Sequence, residues 1–93
     1  MKTPELGMLV TARAGRDKGR RFLIVGRFDE AHALIADGDT RRLARPKKKK
    51  LMHLNVEPRC AEAIRGRLER GETVQDAEIR KAIVSLTREQ RQD

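Results

Sequence analysis

From Gly7 to Ala14 apolar and polar positions alternate loosely, with Met8, Val10 and Ala12 on one side and Leu9, Thr11 and Arg13 on the other. That two-residue period marks a half-buried strand. A cationic turn follows, and then Phe22-Leu23-Ile24-Val25, an unbroken apolar block with two β-branched members, which predicts a second and more deeply buried strand over Arg21 to Phe28. Gly26 within it predicts a bulge or sharp bend. Asp29-Glu30-Ala31 reads as a tight turn, His32 to Ala36 as a third strand, and Asp37-Gly38-Asp39 as the turn that closes it, because Asp-Gly after an apolar run is a strong turn signal. Short strands at this spacing, with polar turns and no room for crossover helices, predict a meander or small barrel.

From Asn55 the period changes. Asn55, Glu57 and Pro58 read as a helix start, Val56, Cys60, Ile64 and Leu68 then recur every four residues, and Gly71 is placed to stop the helix. Thr73-Val74-Gln75-Asp76 resembles a second start, with Ile79, Ala82, Ile83 and Leu86 as its apolar stripe. The predicted architecture is mainly β with an α extension: a β module over 1–55, then a two-helix hairpin over 56–93. Helices this short are marginal alone, so they must pack on each other, on the sheet or on a protein partner. Past Thr87 the chain is polar and is expected to fray.

Composition narrows the picture. With 93 residues, two Phe and no Trp or Tyr, the core must be small, and both Phe22 and Phe28 are expected to be needed in it. The formal charge is +8, and its distribution is uneven. Residues 1–55 carry fourteen Lys or Arg against six Asp or Glu, whereas 56–93 carry eight of each. A basic module followed by a neutral one asks for a polyanionic partner: RNA, DNA, an acidic protein or an anionic surface. Cys60 is the single cysteine, which excludes an internal disulfide and suits a reducing compartment. The apolar patch Leu6 to Val10 is too short and too broken by Gly7 for a secretory signal, and no run approaches the ~20 apolar residues of a membrane helix. The expectation is a soluble cytoplasmic protein with no membrane partner.

The positive charge lies in two segments. Arg16, Lys18, Arg20 and Arg21 belong to a turn carrying Gly15 and Gly19, whose glycines either shape the hairpin or let its amides approach a phosphate, and Asp17 is placed to hold that turn by bonding a nearby amide. In the second segment seven of the ten residues from Arg41 are basic: Arg41, Arg42, Arg45, Lys47, Lys48, Lys49 and Lys50. Leu43 and Ala44 inside the run and Leu51 to Leu54 after it tie it to the core, and Pro46 breaks any ladder, so it reads as an ordered anion-binding loop or edge between two short strands. Arginines there suit bidentate phosphate contacts and lysines act as point charges.

Catalytic chemistry is not legible. Gly15 to Arg20 lacks the length and the Gly-Lys-Ser/Thr of a P-loop. His32 and His53 are isolated, although His53 adjoins the lysines and is within reach of a phosphate. Cys60 reads as a small apolar residue on a helix face. No metal, cofactor or enzymatic activity is expected.

Val10 to Gly38, with Gly15-x-Asp17-Lys18-Gly19, an apolar strand, a turn and Ala33-Leu34-Ile35-Ala36-Asp37-Gly38, resembles a KOW motif, found in SH3-like barrels of ribosomal proteins and NusG-type transcription factors. The continuation through Arg41-Arg42-Leu43-Ala44-Arg45-Pro46, the lysines and Leu51-Met52-His53-Leu54 is similar to the eukaryotic-type large-subunit ribosomal protein group numbered fourteen and its bacterial relatives. The likeness covers about residues 6 to 55. Phe22 departs from the glycine that many KOW motifs carry there. The resemblance implies an SH3-like barrel that binds ribosomal RNA through its loops, with a structural or assembly role in translation. The alternatives are a protein-interaction module of the Tudor or NusG type and a nonspecific DNA-binding protein.

Overall fold

The computed structural model describes residues 4–91. Strands β1 (Met8–Ala12), β2 (Arg21–Arg27), β3 (His32–Ala36), β4 (Lys47–Lys50) and β5 (Leu54–Cys60) form one antiparallel sheet in the order β4-β3-β2-β1-β5. A 3-10 turn, Leu51–His53, joins β4 to β5, and helices α1 (Glu62–Glu69) and α2 (Asp76–Arg91) follow. The sheet is not closed; β4 and β5 are its edges. A mainly β fold with a helical extension is therefore as the sequence predicts.

The central strands carry unbroken apolar runs because both of their faces are covered. Met8, Val10, Ala12, Phe22 and Ile24 join Ala33, Ile35 and Leu54 in one core, while Leu9 and Leu23 point the other way and pack with Ile64, Ile79 and Leu86 of the helices. Full burial of a side chain such as Leu9 or Ile79 stabilises by about 1.5–3 kcal/mol, so the short helices gain their stability from the sheet. Gly26 sits where predicted, at a bulge between Ile24 and Gly26 in the β2–β3 pairing.

Several expectations are corrected. No helix starts at Asn55: Leu54–Cys60 is a strand, so the expected division at 55/56 falls within β5. The β1–β5 register shifts between Met8↔Cys60 and Val10↔Val56, leaving Pro58 in the irregular stretch, where its missing N–H costs no ladder bond. Cys60 accordingly lies at a strand end, where its Sγ contacts Leu6 O at 3.5 Å and burial pushes its thiol pKa up. The first helix is only Glu62–Glu69. It ends at Gly71 as predicted, with Gly71 N bonding Leu68 O and Glu72 N bonding Arg67 O. Helix α2 continues to Arg91, beyond Thr87 where fraying was expected; residues 92 and 93 lie outside the described residues. Glu78 accepts a bond from Gln75 N at 3.0 Å, one half of a capping box.

Candidate nucleic-acid interface

The β1–β2 hairpin closes through Ala12 N to Arg20 O (3.0 Å) and Gly19 N to Ala12 O (2.8 Å). Inside it Lys18 N bonds Gly15 O and Arg20 N bonds Asp17 O, two tight turns in succession that place Gly15 and Gly19 at φ of 81° and 87°. The backbone itself therefore calls for both glycines. Arg16, Lys18 and Arg20 are exposed, and Arg21 is half-buried at the start of β2. Asp17 behaves differently: it is 5 % exposed, and its carboxylate accepts from Arg41 Nη2 at 3.0 Å, reaching across to the second basic segment.

That segment is ordered from its acidic end. Asp37 Oδ1 accepts from the amides of Asp39 (2.9 Å) and Arg41 (2.8 Å), and Oδ2 accepts from the Thr40 hydroxyl (2.8 Å). Burial pushes the Asp37 pKa up, but these three bonds and the positive charge of Arg20 outweigh it and hold the carboxyl below its ordinary value. Helix α2 grips the same loop, with Asp76 Oδ1 accepting from Leu43 N at 2.8 Å and Arg80 Nη1 donating to Gly38 O at 2.6 Å. Arg42 and Arg45 are exposed on it.

The four lysines form edge strand β4, paired with β3 as His32↔Lys50, Ala33↔Lys49, Leu34↔Lys48 and Ile35↔Lys47. Of the two readings of this run, loop or edge, the lysines take the edge and the arginines the loop. Strand alternation then divides the tract. Lys47 and Lys49 are half-buried on the side of Ala33 and Ile35, whereas Lys48 and Lys50 are exposed on the other. Lys49 Nζ donates to Ala14 O at 3.0 Å and is the atom that a Cβ on Gly15 would meet, so the lysine strand rests on the cationic turn. Two contacts, Arg41 to Asp17 and Lys49 to Ala14, thus join the two basic segments. A further mark of crowded charge is that Arg21 Nη1 and Arg41 Nε are buried without a hydrogen-bond partner among the described residues. An unmatched buried donor is costly.

Phe28 is a correction. Phe22 is fully buried as expected, but Phe28 is 57 % exposed just beyond the end of β2. Lys48 Nζ stands 4.5 Å above its ring centroid. An aromatic at a strand end reads as core, and the signal for exposure is the polar Asp29-Glu30 that follows. His32 pairs with Asp29 at 2.8 Å, a bond that lowers the Asp29 pKa. Among the described residues no group of three or more His, Cys, Asp or Glu is placed to hold a metal, and no helix is long and apolar enough to cross a membrane. No protein-family model matches the chain, and no curated protein matches it.

Proposed function

We propose that this chain is a non-catalytic RNA-binding protein of the ribosome, which holds folded ribosomal RNA by its phosphates and shape. The observation that carries the reading is the junction of the two basic segments: Asp17 with Arg41 and Ala14 with Lys49 join the turn that carries Arg16, Lys18 and Arg20 to the loop and strand that carry Arg41 and Lys49. Surfaces of this kind neutralise several phosphates at once and release their counterions. The bulges in β2 and β5 bend a five-stranded antiparallel sheet, in keeping with the SH3-like barrel that the KOW resemblance implies. Cytoplasmic location follows from the same reading.

Co-sedimentation with ribosomal subunits tests it, alongside binding to a folded ribosomal RNA fragment and to duplex DNA of equal length. The reading predicts sedimentation with subunits and preference for the RNA. Equal affinity for DNA favours a nonspecific DNA-binding protein, and absence of salt-sensitive binding to either nucleic acid favours a protein-interaction module.

A further inference from the structure

A single exposed apolar side chain is ordinary on a protein surface. Phe28 differs from that case in its surroundings. Its backbone N–H bonds His32 O at 3.2 Å, the His32 ring meets it edge-on with centroids 6.3 Å apart and planes at 81°, and Lys48 lies over the ring. The ring is thus positioned by its neighbours while more than half of its surface stays open. Lys50, opposite His32 in the β3–β4 register, is exposed on the same side as Lys48.

Lys48 lies over one face of the ring and Lys50 is exposed two residues along on the same side of the strand, so an open aromatic surface with two nearby lysines matches the two halves of a nucleotide. The ring stacks on the base, which every base permits because each has a π-face, and the lysines meet the phosphates on either side. An apolar peptide would leave both ammonium groups unmatched, and a fully paired helix offers no free base face to the ring.

We infer that Phe28, with Lys48 and Lys50, forms a stacking site for one unpaired base of an RNA strand. The inference rests on the RNA-binding reading and adds to it a preference for RNA with an unpaired nucleotide beside the phosphate-binding surface.

The sequence contains no tryptophan, so Phe28→Trp in the full chain introduces a single fluorescent reporter at the ring. The probes are an eight-nucleotide single-stranded oligouridylate and a fully paired RNA duplex at one salt concentration. Stacking predicts that oligouridylate quenches the indole emission of the Phe28→Trp variant. It also predicts that Phe28→Leu weakens oligouridylate binding by about 5- to 100-fold while duplex affinity stays within about twofold. Bound oligouridylate with unquenched emission, or equal affinity of wild type and Phe28→Leu, overturns the stacking site and leaves the phosphate reading standing. Equal loss of both RNAs in Phe28→Leu also overturns it. Failure of the wild type to bind either RNA overturns both readings.

Discussion

Arg41 Nη2 lies 3.0 Å from Asp17 Oδ2, and the residue it meets is 5 % exposed in the middle of a cationic turn. One carboxylate thereby ties the turn between β1 and β2 to the loop between β3 and β4. Asp17→Ala removes the acceptor and leaves a half-buried guanidinium unpaired. The expected cost is about 1–3 kcal/mol, seen as a fall of roughly 4–8 °C in Tm for each kcal/mol in a chain of this size. Thermal unfolding followed by circular dichroism checks it; an unchanged Tm would remove Asp17 from the joint.

Gly38 marks where α2 meets that same loop. Its φ is 77°, and a Cβ there would fall 2.3 Å from Asp76 O, a backbone atom with nowhere to go. Gly19 has a similar φ of 87° but open space around it. Gly19→Ala is therefore expected to cost about 1–2 kcal/mol from the left-handed backbone alone, and Gly38→Ala clearly more, because the helix must also shift. Urea unfolding of the two variants separates strain from clash.

What was legible in the sequence, and what was not, follows from these same elements. The first three strands, the Gly26 bulge and the glycine turns were readable because alternation and turn chemistry are local signals. Strand β5 was not: Val56 and Cys60 happen to continue the four-residue spacing of Ile64 and Leu68, and Pro58 imitates a helix start. Only the pairing of β1 with β5, a contact between distant parts of the chain, overrides that pattern. Lys47–Lys50 was hard to read as a strand because lysine favours edges for the protection that charge gives them, not for its strand propensity. The two basic segments were visible as charge, but their meeting through Arg41 and Lys49 depends on side chains reaching across the fold.

The alternation of β4 predicts that its lysines are not equivalent. Lys48→Ala with Lys50→Ala removes two exposed charges and is expected to leave stability within about 0.5 kcal/mol, while weakening RNA binding and making its log–log salt slope shallower by about two. Lys49→Met keeps the aliphatic stem but loses the bond to Ala14 O. That variant is expected to lose about 0.5–1.5 kcal/mol of stability. Parallel denaturation and binding titrations distinguish the two sets.

Acid is expected to act on the Asp37 turn. The folded pKa of Asp37 lies below the ordinary 3.8, so the unfolded chain binds the proton more readily, and the carboxylate's contribution is fully present above about pH 5 and lost as pH falls through the folded value. Stability therefore declines on acidification below about pH 4. Asp37→Asn, which keeps one carbonyl acceptor, is expected to be less stable at neutral pH and to show a flatter acid limb. Urea midpoints measured from neutral pH down through the acid limb on both proteins provide the comparison.

The salt dependence of binding to a folded ribosomal RNA fragment tests most directly whether the joined basic segments grip phosphates. With roughly six phosphates engaged, the log–log slope of affinity against salt is predicted between about −4 and −5.5, set by about −0.7 per phosphate on single strands and about −0.9 on duplex. A slope near zero, with binding intact, would contradict the account.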